Sequence, residues 1–230
     1  MWTETLSNDQ GILAKKLVAS VVKQLTQCIQ SKGKACLAVS GGTTPIAFFK
    51  QLSEQELDWA KVTIILVDER WLPIEDKDSN EKLVRDYLLQ NKAKRAYFLG
   101  LKNDALLPSE GIMDCETQLR TQVEHIDIVV LGMGIDGHTA SWFQNSTQLA
   151  ALLDVDTSAW CLPVEDGFLP QARMSLTWRF IKRAEKIYLH FTGDEKNSVF
   201  IKACEEKTEA LPVSHLLHQD GINISVYRTQ

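Results

Sequence analysis

Short apolar runs alternate with amphipathic segments along almost the whole 230-residue chain. The strongest of these runs, IDIVVLGM at 126–133, is apolar on both faces, as expected for a central parallel strand covered by helices on both sides. The alternation predicts an α/β fold, a Rossmann-like sandwich with a mostly parallel central sheet flanked by helices. The predicted strands are 35–39, 62–69, 96–101, 126–133, 160–164, 186–193 and 222–228, and the predicted helices are 12–29, one from Pro45, 79–90, 109–123 and 195–205.

Size and charge limit the kinds of partner that the chain can have. A length of 230 residues fits one domain spanning 1–230, since α/β folds of this size are often single. The net charge is −5 and no cluster of lysine and arginine stands out, whereas binding a phosphate backbone needs clustered positive charge. We therefore expect no nucleic-acid or membrane partner, and a monomer or a weak homodimer.

Targeting signals and cysteine usage indicate a cytoplasmic protein. The N-terminal residues lack a basic segment followed by an apolar one, and no apolar run reaches the roughly 20 residues needed to span a bilayer. The five cysteines are scattered without C-x-x-C spacing, and the histidines show no metal-like pairing. We expect reduced thiols and no metal site.

Four loops rich in glycine or charge follow predicted strands. Because ligands of open α/β sheets sit at the carboxyl ends of the strands, these loops are expected to meet at one site. They are SGGTTP at 40–45, DERW at 68–71, GMGIDGH at 132–138 and TGDEK at 192–196.

The loop at 40–45 offers small side chains, hydroxyls and free backbone N–H groups where a helix begins. That combination suits a phosphate, through the unpaired N–H groups and the helix dipole. It lacks the Gly-Lys-Ser/Thr ending of a Walker A loop, and a tight turn with a helix cap explains it equally well. The candidate phosphate-binding residues are Ser40, Gly41, Gly42, Thr43 and Thr44.

Charged residues near the other loops extend this candidate site. Arg70 can pair with a phosphate, and Asp68 can orient a histidine or a sugar hydroxyl. Lys196 lies in the first turn of a predicted helix, where its charge opposes the helix dipole unless an anion lies beside it. Arg173 is a further candidate cation. Taken singly, each of these charged residues has a simpler explanation. It can belong to a structural ion pair or lie on the solvated surface.

The glycine-rich loop has two interpretations. Gly132, Gly134 and Gly137 have the G-x-G-x-x-G spacing of a dinucleotide-binding loop, but the motif follows three predicted strands instead of the first one. Asp136 and His138 in the same loop favour chemistry, because a histidine at a sheet edge can accept a proton from water and a carboxylate can fix its tautomer. A structural role for His138 at a helix start stays open. Trp142, four residues later, is the tryptophan expected to line the pocket.

Taken together, the motifs resemble the 6-phosphogluconolactonase family over residues 40 to 196. The resemblance rests on SGGTTP, DERW followed by DSN, GMGIDGHTAS, RMSLT and GDEK, in that order. It implies hydrolysis of 6-phosphoglucono-1,5-lactone without nucleotide or required metal. It further implies phosphate binding by the 40–44 loop, Arg70 and Lys196, and a general base at His138 oriented by Asp136.

Three alternatives accompany this interpretation. A glucosamine-6-phosphate deaminase or isomerase shares the fold implied by the resemblance, but the seven residues after His138 contain no carboxylate for the extra acid–base step. A non-catalytic sugar-phosphate-binding protein would have no need of the Asp136–His138 pair. An NAD-binding domain is the third alternative.

Overall fold

The structure is a computed structural model and describes residues 2–229. In this part of the chain the strands are Trp2–Ser7 (β1), Ala35–Val39 (β2), Val62–Leu66 (β3), Asp68–Arg70 (β4), Tyr97–Leu99 (β5), Ile128–Leu131 (β6), Cys161–Val164 (β7), Arg173–Leu176 (β8), Lys186–Phe191 (β9) and Asn223–Thr229 (β10). The helices are Gln10–Lys32 (α1), Ile46–Ser53 (α2), Asn80–Tyr87 (α3), Pro108–Gln122 (α4), Leu149–Leu153 (α5), Trp178–Ile181 (α6), Asp194–Glu205 (α7) and Ser214–Leu217 (α8), with 3-10 turns at Trp59–Lys61 and Ala93–Arg95.

Seven strands form the central sheet, in the order β1-β10-β9-β6-β2-β3-β5, and every adjacent pair in it is parallel. Leu37, Ile64 and Val129 in three neighbouring strands are fully buried, and each such burial stabilises the fold by about 1.5–3 kcal/mol. The predicted α/β class with a mostly parallel sheet is confirmed.

Helix α1 shows how local sequence sets the layers around this sheet. Asp9 caps its start by accepting a hydrogen bond from the Ile12 N–H at 2.8 Å, and Gly33 ends it in a left-handed conformation with φ 79°. Its buried residues recur at helical spacing, so one face of the helix covers the sheet. They are Leu13, Ala14, Leu17, Val18, Val21, Leu25 and Cys28.

A second, three-stranded antiparallel sheet departs from the sequence prediction. The predicted strand 62–69 is interrupted at Val67, and β4 then pairs with β8, which pairs with β7, in the order β4-β8-β7. The predicted strand at 160–164 therefore belongs to this small sheet and not to the central one. Strand β1, strand β8 and the short helices α6 and α8 have no counterpart among the predicted elements.

Candidate active site

A cavity of about 220 Å³ opens where the carboxyl ends of the central strands meet the small sheet. The structure brings the predicted site residues to its wall except Asp136, which lies behind His138, and Trp142, which lies in the core. The predicted residues lining it are Ser40, Gly41, Gly42, Thr43, Thr44, Asp68, Arg70, Gly132, Gly134, His138, Arg173 and Lys196.

His138 and Asp136 form a hydrogen-bonded pair at this cavity. The Asp136 Oδ1 atom lies 2.5 Å from His138 Nδ1, which leaves Nε2 as the ring nitrogen free to accept a proton. Burial alone would raise the pKa of Asp136, but the hydrogen bond and charge of His138 outweigh it and hold that pKa below its usual range. The carboxylate is therefore ionised and suited to stabilise an imidazolium.

The glycines of this loop leave room for the histidine. A Cβ at Gly134 would overlap Cε1 and Nδ1 of the His138 ring, so only glycine lets the imidazole lie across the backbone here. Gly137 has φ 76°, and a Cβ there would approach Leu211. The loop closes through a hydrogen bond from the Gly134 N–H to the His138 carbonyl at 2.9 Å.

Phe143 packs directly on the histidine, a contact that the sequence did not reveal. The His138 and Phe143 ring centroids are 4.5 Å apart. The Arg173 guanidinium lies 5.1 Å from the Phe143 centroid, so these three side chains pack together. Ala140 lies between His138 and Phe143 in the sequence. It has φ 47°, a conformation that non-glycine residues rarely adopt outside constrained sites. The chain after His138 is thus held in one defined shape.

Trp142 does not line the pocket as predicted. Its side chain is fully buried, its Nε1–H donates to the Leu176 carbonyl at 3.0 Å, and its ring packs edge-on against Trp178. An indole this large is more stable in the core with its N–H satisfied than at the cavity wall.

The glycine loop at 40–44 is shaped by Asn80 and by the neighbouring strand. A Cβ at Gly41 would overlap the Asn80 side-chain amide, and Gly42 has φ 90°, so both positions require glycine. The Ser40 hydroxyl accepts a hydrogen bond from the Gly132 N–H at 3.1 Å, which ties this loop to the His138 loop. Asn80 entered the sequence analysis only as part of the DSN motif. Its contact with Gly41 is a second feature of the site that the sequence did not predict.

Arg70 is positioned by a buried carboxylate beneath it. Glu69 accepts hydrogen bonds from the backbone N–H groups of Arg70, Asn80 and Glu81 at 2.7–2.8 Å. Burial raises the pKa of Glu69 to about 7, against the opposing effect of these N–H donors. Arg70 in turn donates through Nη1 to the Asp78 carbonyl and to Asn80 Oδ1, while its buried Nε has no partner within residues 2–229.

Arg173 enters the site from strand β8. Its Nη1 lies 3.5 Å from Asp68 Oδ2, and the Ser141 hydroxyl donates to the same Asp68 oxygen at 2.6 Å. Asp68 therefore orients Arg173 and the segment after His138, and not the His138 ring as one sequence interpretation suggested. The buried Arg173 Nε also lacks a partner in the described chain.

Lys196 completes the positive side of the cavity from the first turn of α7. Burial lowers its pKa, opposed by the charge of Asp136. Arg70, Arg173 and Lys196 outnumber the two carboxylates Asp68 and Asp136, so the cavity favours an anion. His190 also lines it, and the signal for it was a histidine in the apolar run KIYLHF immediately before the TGDEK loop.

One group of possible metal ligands lies outside the cavity. Within residues 2–229 the side chains that cluster with the spacing of metal ligands are those of Cys28, Asp127 and Glu185, and Lys32 Nζ forms ion pairs with both carboxylates. No helix in residues 2–229 is both long and apolar enough to cross a bilayer.

Comparison with known proteins identifies the family. The family model described as "Glucosamine-6-phosphate isomerases/6-phosphogluconolactonase" matches residues 8–224. The 6-phosphogluconolactonase of Neisseria meningitidis serogroup A is 36% identical over 93% of both chains. That of Rhizobium meliloti is 38% identical over 94% of this chain and 93% of the relative.

Solved structures show the same fold. A 6-phosphogluconolactonase from Shewanella baltica superposes with a TM-score of 0.96 at 36% identity, covering 100% of this chain and 98% of that one. A monomeric glucosamine-6-phosphate deaminase at 16% identity shares the fold alone, with a TM-score of 0.77. The chain therefore belongs to the family of glucosamine-6-phosphate isomerases and 6-phosphogluconolactonases, as a relative of its 6-phosphogluconolactonase members.

Proposed function

We propose that this chain is a 6-phosphogluconolactonase, which hydrolyses 6-phosphoglucono-1,5-lactone to 6-phosphogluconate with His138 as general base. The observation that carries the proposal is the Asp136–His138 pair at a cavity bordered by three cations. Relatives named 6-phosphogluconolactonase at 36–38% identity over more than nine-tenths of the chain support the same reaction.

The proposed reaction begins with His138 Nε2 taking a proton from water as the water oxygen attacks the lactone carbonyl carbon. The bond from that carbon to the ring oxygen then breaks, and the imidazolium returns its proton to the departing oxygen. The new carboxylic acid ionises at neutral pH. Asp136 keeps the Nδ1–H in place and stabilises the imidazolium between the two proton transfers.

The phosphate supplies orientation in this proposal. Residues 40–44 present hydroxyls and N–H groups, and Arg70 and Lys196 supply positive charge. Arg173, Asp68 and the backbone at Gly132 and Gly134 border the sugar. A phosphate held at one end places the lactone carbon at His138, which converts a bimolecular encounter into a positioned one.

The test is hydrolysis of freshly prepared lactone, followed by coupled oxidation of the product. Wild-type protein should exceed the spontaneous rate, and His138→Ala should lower kcat by about 10²- to 10⁴-fold, the usual contribution of a general base. His125→Ala, at the opposite edge of the sheet, is the matched control. Equal rates for His138→Ala and wild type would remove the mechanism, and ammonia release from glucosamine-6-phosphate would replace the lactonase with a deaminase.

A further inference from the structure

His190 is a second histidine at the cavity, to which the proposed mechanism assigns no role. It lies near the carboxyl end of β9, one residue beyond the pair formed by Leu189 and Leu131. Only 4% of it is exposed, and that part of its surface faces the same cavity as His138 and Lys196. The fold therefore buries an imidazole at the wall of the candidate active site.

No hydrogen bond within residues 2–229 involves a ring nitrogen of His190, and both nitrogens keep some accessible surface, because neither is among the fully enclosed polar atoms without a partner. Its closest ring neighbour is apolar, since Phe48 packs edge-on against it with centroids 6.4 Å apart. An unpaired polar group in a buried site is destabilising unless a ligand or water satisfies it. The cavity side is where such a partner can enter.

The surroundings of His190 also define its charge. Burial, reinforced by the charge of Lys196, lowers the pKa of His190 to about 4. The imidazole is therefore neutral near pH 7 and carries one N–H donor and one acceptor. Beside Lys196, a neutral imidazole can donate a directional hydrogen bond to an anion that the lysine attracts. It does so without placing a second buried cation next to the lysine.

The position of His190 points to the phosphate end of the substrate. Phe48, which packs on its ring, lies in the first turn of α2, directly after the 40–44 loop. Lys196, whose charge acts on His190, faces the cavity from α7. The imidazole thus lies near two groups to which the proposed function assigns the phosphate.

We propose that His190 is a substrate-binding residue that donates a ring N–H to an oxygen of the substrate's phosphate group. This inference rests on the proposed function, because the anion in question is the phosphate of the lactone and of its product.

The test is calorimetric titration of wild type, His190→Leu and His190→Gln with 6-phosphogluconate and, separately, with inorganic phosphate. A hydrogen bond to a charged group accounts for about 10- to 100-fold in a binding constant. His190→Leu should weaken binding of both ligands by that factor. His190→Gln, which keeps an N–H donor at similar reach, should recover part of the loss. His125→Leu is the control, expected to bind both ligands as wild type does.

Thermal unfolding of each variant separates binding from misfolding, and His190→Phe, which keeps an aromatic ring but has no N–H donor, replaces His190→Leu if the latter does not fold. Normal 6-phosphogluconate affinity in both folded variants would overturn the proposal, and so would a loss confined to 6-phosphogluconate with phosphate binding unchanged. If wild type binds 6-phosphogluconate but does not hydrolyse the lactone, the proposed function fails while the role of His190 is still decided by the titrations. If wild type binds neither ligand, both proposals fail.

Discussion

His138 and His190 face the same cavity, but their immediate neighbours carry opposite charges. Asp136 Oδ1 lies 2.5 Å from His138 Nδ1, where the carboxylate can hold the ring in the orientation that the proposed reaction requires. Burial and, to a smaller extent, the charge of Lys196 lower the pKa of His190. Two identical side chains are thereby suited to different tasks, proton transfer at one and neutral hydrogen bonding at the other.

The lowered pKa of His190 predicts a pH dependence of stability. An unfolded histidine binds a proton near pH 6.5, whereas folded His190 does so only near pH 4. Acid therefore favours the unfolded chain, and this contribution, full above pH 6.5, is lost as the pH falls toward 4. The loss amounts to up to about 3 kcal/mol.

Urea unfolding of wild type and His190→Leu between pH 7.5 and 4.5 measures this effect. The free energy of unfolding of wild type should fall relative to that of the variant below pH 6.5, while their difference stays constant above pH 7. A constant difference over the whole range would contradict the assignment of a neutral buried imidazole.

At the scale of elements, the loops at 40–44 and 132–138 form one side of the cavity, and their glycines at 41 and 134 are required by side chains of other residues. Gly41 makes room for Asn80, and Gly134 makes room for His138. The G-x-G-x-x-G spacing, which first indicated a nucleotide, is better explained by these close approaches. Glycines at this spacing allow another group to approach the backbone closely. In this chain the approaching groups are the side chains of Asn80 and His138, and not a nucleotide.

Gly134→Ala tests this explanation. The new Cβ would displace the His138 ring from its position against Asp136, and a misplacement near 1 Å lowers rate by about 10²-fold. We expect kcat for lactone hydrolysis to fall by about that factor. Gly167→Ala is the matched control, because a Cβ there meets no atom within 4 Å. Wild-type kcat in Gly134→Ala would show that the ring tolerates the added methyl group.

At the scale of the whole molecule, the candidate site and a stabilising ion-pair cluster lie at opposite edges of the parallel sheet. The cavity lies at the carboxyl edge, while the amino edge is held by Lys32, which donates to Asp127 Oδ1 at 2.7 Å and also pairs with Glu185. Asp127 and Glu185 directly precede β6 and β9, so one lysine at the end of α1 connects three elements. Stability and activity should therefore respond separately to substitutions at the two edges.

Lys32→Met is the corresponding prediction. It leaves the buried Asp127 carboxylate with the Cys36 N–H but without a cation, which should lower the free energy of unfolding by about 1–3 kcal/mol. The rate of lactone hydrolysis per folded molecule should not change. Lys34→Met is the control, because its partner Glu124 is exposed and such surface pairs contribute less than about 1 kcal/mol. A matching loss of kcat in Lys32→Met would show that the two edges are coupled.

Much of the site could be predicted because its signals are local. Apolar periodicity indicated the central strands, strand ends indicated the loops, and the order of the loop motifs indicated the family. His138, Lys196 and residues 40–44 all follow from that reasoning. Asn80 and Phe143 do not, because their contacts with Gly41 and His138 depend on how separate segments meet and leave no periodic mark in the sequence.

By itself, the sequence determined the α/β class, and it predicted the sheet edge and the residue types of the candidate site. Only the tertiary structure established that the chain breaks at Val67, that β4 pairs with β8 to bring Arg173 beside Asp68, and that His190 reaches the cavity. The reason is physical. Burial patterns report whether a residue faces a core, whereas strand pairing between distant segments is set by the balance of all packing contacts at once.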